Sequence, residues 1–133
     1  MVELLSTNQS DAVKGALGRY EILIQGGNRQ MTVKIIMERM VEADKQGDLL
    51  ELLRQLRARA VVQPGYVSGE TLTSIDRAGM HLVISTWHSL HDWRAWENDP
   101  ERLEILAKVE ALLIAPSKTS IYAESWASLP EGI

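Results

Sequence analysis

The sequence predicts an α+β domain whose strands and helices follow one another in the order β-α-β-β-α-β. Three observations predict it. Short segments rich in Val, Ile and Thr alternate in polarity, apolar residues between them recur every three or four positions, and Gly, Pro and Asp mark the boundaries. This order is that of the ferredoxin-like fold, an antiparallel sheet with helices on one face.

The first strand is predicted over residues 32–41. Val33 and Ile35 share one face of it, and Ile36 and Met40 share the other. Because both faces carry apolar residues, we expect the strand to be covered on both sides.

The helix that follows is predicted over residues 44–62, where leucines recur from Leu49 at three- and four-residue spacing. Pro64 and Gly65 end it, because proline lacks an amide donor and glycine permits a positive φ.

The second strand is predicted over residues 66–75 and the third over residues 80–87, with residues 76–79 forming a short hairpin connection between them. Gly69 interrupts the second strand and indicates a bulge that could aim the side chain of Glu70.

Ser89 is predicted to cap the next helix, and Asp99 with Pro100 to begin a further one. This last helix is expected to run to Ala115, and a fourth strand is predicted over residues 118–124. The positions assigned to the pattern of the last helix are Leu103, Leu106, Ala107, Val109, Glu110 and Leu113.

The face of the sheet opposite the helices is predicted to be apolar. Ile36 and Met40 lie on it in the first strand, and Leu82 and Ile84 in the third. A homodimer with sheet packed against sheet would bury these residues.

Composition narrows the classes of function. The 133 residues favour one domain, which we place at residues 31–124, between an N-terminal extension (1–30) and a C-terminal tail (125–133). A net charge of −4 argues against a nucleic-acid partner. The sequence contains no run of about 18 apolar residues, the length that a membrane-spanning helix needs. The absence of cysteine removes thiolate metal sites and fits a cytoplasmic protein.

Three segments resemble the antibiotic biosynthesis monooxygenase family. They are Val-Val-Gln-Pro-Gly-Tyr-Val-Ser-Gly-Glu (61–70), His-Leu-Val-Ile-Ser-Thr-Trp (81–87) and Asp-Trp-Arg-Ala-Trp (92–96). The resemblance implies a dimeric α+β barrel with a cavity between sheet and helices. It also implies one of two activities: oxygenation of polycyclic phenols by dioxygen without metal or organic cofactor, or degradation of haem.

The resemblance distinguishes these two activities by residue type. Haem degraders of the family have Asn late in the first strand, Trp at the end of the third strand and His on a later helix. Trp87 matches the tryptophan, but Arg39 stands at the asparagine position and Leu106 near that of the histidine. Without a helical histidine, ordinary haem ligation is difficult to build. The resemblance therefore favours the cofactor-independent oxygenase.

The resemblance also suggests catalytic residues and, at Asn98, a substrate-binding residue. Family oxygenases surround the substrate with Trp, Tyr, Asn and Arg, for which Trp87, Tyr66, Asn98 and Arg39 are the candidates. Arg39 shares a face with the buried side of the first strand, so it either pairs with an acid such as Glu110 or faces a polar cavity.

Further candidates come from the residues themselves. Trp93 and Trp96 lie three apart on a helix and would share a face, either as core or as substrate-binding residues. His88 or His91 could serve as a general base at the mouth of the cavity, because histidine exchanges protons near neutral pH. Glu70 could bind substrate or be an ordinary exposed strand residue.

We therefore expect a monooxygenase that acts on an aromatic or quinol-like molecule and dioxygen, with no metal and no bound cofactor. A non-catalytic dimeric module that binds or senses a small molecule in the same cavity is the alternative from another class.

Overall fold

The computed structural model describes residues 31–123. The predicted N-terminal extension and C-terminal tail lie outside the described residues. A single 3-10 turn at Ala43–Lys45 precedes the first helix. The strands and helices are β1 (Val33–Met40), α1 (Gln46–Ala60), β2 (Tyr66–Thr73), β3 (Met80–Trp87), α2 (Leu90–Glu97), α3 (Pro100–Leu112) and β4 (Lys118–Ala123).

The four strands form one antiparallel sheet in the order β2-β3-β1-β4. In the register of β1 with β3, Val33 lies opposite Trp87 and Arg39 opposite His81. The predicted ferredoxin-like fold is confirmed.

Local sequence signals set several of the boundaries. The Ser89 hydroxyl accepts a hydrogen bond from the amide of Asp92 at 3.1 Å and so caps α2. The Asp99 carboxylate accepts from the amides of Glu101 and Arg102 at the start of α3, where Pro100 is the first helical residue. Both predicted caps are present, and β3 has the bounds that its sequence pattern predicts.

The helices cover one face of the sheet and enclose the core. The face of β1 that carries Val33, Ile35 and Met37 is buried beneath them. Trp87, Leu90, Trp93 and Trp96 join these residues in one apolar cluster, and Val41, Leu49, Leu53 and Val109 form a second cluster between α1 and α3.

The buried face of α3 differs from the predicted one. It consists of Arg102, Ile105 and Val109, whereas Leu103 is 48% exposed. The helix also ends at Leu112 and not at Ala115. Val109 was among the positions assigned from the sequence, whereas Arg102 and Ile105 were not.

The opposite face of the sheet carries no helix in the described part of the chain. Ile36 and Ile84 are paired across β1 and β3, and each is half-buried. Leu72 on β2 and Tyr122 on β4 are exposed. Within residues 31–123, no helix has the length and apolar character needed to cross a membrane.

Candidate active site

A cavity lies between the helices and the covered face of the sheet. The cavity itself has a volume of about 60 Å³, and together with the solvent space at its open mouth it amounts to about 540 Å³. β1, β2 and β3 form one wall, and α1, α2 and α3 close it on the other side. Its lining residues are Met37, Arg39, Leu53, Leu56, Arg57, Ala60, Tyr66, Gly69, Glu70, Thr71, Val83, Ser85, Trp87, Trp93, Trp96 and Arg102.

Three aromatic rings meet at one end of this cavity. Trp87 is fully buried at the end of β3, and its indole Nε1 donates a hydrogen bond to the Ser85 hydroxyl at 3.1 Å. Its ring lies edge-to-face with Tyr66 at 5.4 Å between centroids and with Trp93 at 5.9 Å. Such edge contacts fix ring orientation. The cavity therefore has a rigid aromatic wall suited to a flat ligand.

Tyr66 is held beside the backbone of β2 by the absence of a side chain at Gly69. A Cβ built on Gly69 would lie 2.5 Å from the Tyr66 hydroxyl oxygen, too close for any real contact. The strand irregularity lies between Tyr66 and Ser68, three residues before the predicted Glu70 feature. Gly69 thus serves close approach rather than a bulge at its own position.

Arg39 is the residue of β1 whose charged side chain lines the cavity. Its side chain is 3% exposed, its Nη2 lies 3.3 Å from the Met37 sulfur, and its Nε has no hydrogen-bond partner. Burial and, to a smaller extent, the positive charge of Arg102 lower the pKa of Arg39 to about 10, while Glu110 opposes the shift. Of the two predicted arrangements, the structure shows the cavity-facing one. The Glu110 carboxylate instead accepts hydrogen bonds from Ser117.

Arg102 reaches the same place from α3. Its Nη1 donates to the backbone carbonyl of Glu97 at 3.0 Å, its guanidinium lies 5.3 Å from the Trp93 ring centroid, and its Nη2 lies 4.0 Å from the Met37 sulfur. Burial lowers the pKa of Arg102, and the negative charge of Glu97 opposes the shift. The cation over the indole face is a favourable arrangement.

Most of the residues predicted for the site line this cavity, and they divide by depth. Arg39, Trp87, Trp93 and Trp96 are buried, and Tyr66 is half-buried. Glu70 borders the cavity through its strand, but it is exposed and pairs with Ile84, so its side chain is on the face of the sheet opposite the helices.

Three predicted site residues lie away from the cavity. Asn98 is exposed at the end of α2, where its side-chain amide donates to the carbonyl of Arg94 at 2.8 Å and caps the helix. His88 and His91 are exposed at the start of α2, and neither lines the cavity. The turn after β3 directs them outward, since Ser89 takes the capping position.

The sequence reasoning missed Arg102 and Ser85. Arg102 could have been found from spacing, because it precedes Ile105 by three residues and Val109 by seven, the period of a buried helical stripe. Ser85 is identified by parity alone, since it shares the covered face of β3 with Trp87.

Titratable and metal-binding groups are few around this cavity. His81 is buried opposite Arg39, its Nδ1 lies 3.3 Å from the Thr73 hydroxyl, and burial lowers its pKa. No histidine is among the lining residues, so the haem-degrading alternative gains no support from the donor set. Between residues 31 and 123, no three His, Asp or Glu side chains cluster as a metal site would require.

The chain is similar in sequence to a Streptomyces protein and in structure to two solved proteins. SchA of Streptomyces halstedii is 25% identical over 101 residues, which are 76% of this chain and 26% of SchA, so the chain spans about a quarter of that relative. A protein of Nitrosomonas europaea has a similar structure, with a TM-score of 0.67 at 19% identity over 74% of this chain and 94% of its own. SnoaB of Streptomyces nogalater, a cofactor-independent oxygenase, has a TM-score of 0.66 at 20% identity, over 76% of this chain and 99% of its own.

The family model for antibiotic biosynthesis monooxygenases matches residues 32–108, from β1 into α3. This range contains every residue that lines the cavity. Because the match spans more than half of the sequence, the chain belongs to the antibiotic biosynthesis monooxygenase family.

Proposed function

We propose that the domain formed by residues 31–124 is a cofactor-independent monooxygenase that acts on a flat, hydroxylated aromatic or quinol-like molecule. The observation that carries the proposal is the wall formed by Tyr66, Trp87 and Trp93, whose rings meet edge-to-face at one end of an apolar cavity. Membership of the family and the structural likeness to SnoaB support the same reaction class.

The proposed reaction requires little from the protein beyond binding and charge stabilisation. A hydroxylated aromatic ring that has lost a proton is electron-rich and supplies the electrons that reduce dioxygen. In an anthrone-type substrate, the CH₂ between two rings becomes a carbonyl. One atom of O₂ enters that carbonyl, and the other leaves as water with the two hydrogens lost from carbon. The cavity excludes bulk water from the reacting carbon and orients the rings.

Oxygen uptake tests this proposal directly. Purified protein is treated with a chelator and assayed with hydroxylated anthrones in an oxygen electrode, with quinone formation followed by absorbance. We expect one O₂ consumed for each quinone formed, faster than the uncatalysed oxidation and unchanged by chelation. Tight binding with no uptake across the panel would contradict the enzyme and favour the binding module.

Trp87→Phe links the reaction to the aromatic wall. Phenylalanine keeps an apolar ring but loses the indole donor to Ser85. We expect kcat/KM to fall at least about tenfold, which corresponds to about 1.4 kcal/mol, with the protein still folded by circular dichroism. Tyr122→Phe is the matched control, because Tyr122 is exposed on β4 and does not line the cavity. Equal rates in the wild type and Trp87→Phe would argue against a role for this wall.

We also propose that two copies pack through the open faces of their sheets. Ile36 and Ile84 lie half-buried on that face, and Leu72 and Tyr122 are exposed on it. Burial of such a surface would favour a homodimer. Light scattering at low micromolar concentration measures this, and a monomer would contradict it.

A further inference from the structure

Two guanidinium groups from opposite walls converge on one sulfur atom in the cavity. Nη2 of Arg39, on β1, lies 3.3 Å from the Met37 sulfur, and Nη2 of Arg102, on α3, lies 4.0 Å from it. Both arginines line the cavity and are at most 5% exposed. Two positive charges are therefore buried close together beside an apolar space.

Neither arginine has a carboxylate partner within residues 31–123. The nearby acids are engaged elsewhere: Glu97 pairs with Arg94 at 2.9 Å, and Glu110 binds Ser117. Arg102 is left with a backbone carbonyl and the face of Trp93, and Arg39 with the Met37 sulfur.

Two buried donors at the cavity have no partner. The Nε of Arg39 has no hydrogen-bond partner, and neither does the indole Nε1 of Trp93, which is 1% exposed. Buried donors are normally satisfied, so an unpaired cluster in a cavity indicates a missing acceptor.

The energetics point to the charge of that acceptor. Burying cations with no carboxylate at ion-pair distance is unfavourable. Burial lowers the pKa of both arginines and the charge of Arg102 adds to the shift at Arg39, although Glu110 and Glu97 act in the opposite direction. A neutral ligand would leave this repulsion in place. An oxyanion would offset it and would accept hydrogen bonds from the charged donors, the stronger kind.

We propose that the ligand of this cavity is an aromatic oxyanion, whose carboxylate or phenolate oxygen lies between Arg39 and Arg102 while its rings lie along Trp87 and Trp93. The inference rests on the proposed function in that it defines the charge of the substrate. It also explains how a hydroxyl of the substrate would be held ionised, since two adjacent cations favour the deprotonated form.

The test compares two ligands that differ in charge but scarcely in shape, 2-naphthoate and 2-naphthamide, by isothermal titration calorimetry at pH 7.5. We expect the wild type to bind naphthoate at least about tenfold more tightly. Arg39→Met and Arg102→Met should each reduce that preference to less than about threefold. Arg54→Met is the matched control, because Arg54 is exposed on α1, pairs with Glu51 and does not line the cavity. It should keep the full preference.

Two further measurements keep the test decisive. Urea unfolding shows whether the methionine variants are folded. If one is not, the lysine variants replace them, since Arg39→Lys and Arg102→Lys retain the charge and should keep most of the preference.

Titration of 2-naphthol against pH separates the two sources of the oxyanion. A phenolate site gives affinity that rises as the naphthol ionises, and a carboxylate site binds naphthoate at all these pH values but naphthol weakly throughout.

Equal binding of naphthoate and naphthamide by the wild type would overturn the inference, and so would a preference that survives in both methionine variants. These outcomes are independent of the oxygenase. Anion preference without oxygen uptake leaves the anion site standing and contradicts the reaction. Oxygen uptake with a neutral substrate, together with no preference for the anion, supports the reaction and contradicts the anion site.

Discussion

Gly69→Ala should weaken ligand binding without unfolding the protein. Gly69 is not among the positive-φ glycines of residues 31–123, so alanine fits the backbone there. Its new methyl group, however, would lie 2.5 Å from the Tyr66 hydroxyl oxygen, and the backbone oxygen of Ile84 is 3.7 Å away. The only serious collision is with the tip of the tyrosine side chain. Tyr66 therefore has to move, and β2 does not.

The size of the movement follows from the contact. An ordinary contact begins at 3.4 Å, so the hydroxyl must shift by about 0.9 Å. Since the Tyr66 ring abuts Trp87, with 5.4 Å between centroids, the shift disturbs the aromatic wall. An edge-to-face pair contributes about 0.5–1.5 kcal/mol. We expect the Kd for 2-naphthoate to rise roughly three- to tenfold, while loss of backbone freedom in the unfolded chain offsets part of any loss in stability.

A double-mutant cycle with Tyr66→Phe isolates the cause. Removing the hydroxyl leaves the ring carbon Cζ, 3.5 Å from the new methyl, at an ordinary contact distance. In the Tyr66→Phe background, Gly69→Ala should therefore change affinity by less than about twofold. Calorimetry measures binding, and urea unfolding followed by circular dichroism measures stability. An effect of equal size in both backgrounds would refute the reasoning, as would unchanged affinity in the single variant.

Two other predictions follow from the fold. Burial lowers the pKa of His81, so below about pH 6.5 the unfolded chain binds more protons than the folded one, and stability falls by at most about 1.4 kcal/mol per pH unit. His81→Asn should make urea stability flatter between pH 7.5 and 5, and parallel curves for the two proteins would contradict this. Ile84→Asp places a charge on the open face of the sheet and should shift light scattering from dimer to monomer, whereas Lys108→Asp, at an exposed position of α3 on the helix side, should leave the dimer intact.

The fold was predictable because its signals are local. Ser89 and Asp99 cap helices through contacts within three residues, and the apolar run that ends at Trp87 predicts a strand. The start of α1 was harder. Its first turn is a 3-10 helix at Ala43–Lys45 with no side-chain cap, so the sequence contains no residue that fixes the boundary.

The candidate site was predictable only in part, because it depends on contacts between distant residues. Tryptophan is conspicuous in a chain that has four, and this drew attention to Trp87, Trp93 and Trp96. Arg102 was not conspicuous, since a charged helical residue ordinarily faces water. Its spacing with Ile105 and Val109 is consistent with burial, but its contact with Met37, 65 residues away in sequence, leaves no local pattern. The prediction of Asn98 as a site residue has the opposite explanation: its side-chain amide is engaged locally, because it donates to the Arg94 carbonyl at the end of the helix.

The aromatic wall and the apolar core are made of the same side chains, and this limits how the protein can diversify. Trp87, Trp93 and Met37 belong to the core cluster, so exchanging them to suit a new ligand would also erode folding stability, which is marginal in most proteins. Arg57 and Thr71 line the mouth of the cavity from exposed positions and contribute little to folding. Lineages that change substrate should therefore accumulate replacements at the mouth first and retain the interior residues longest.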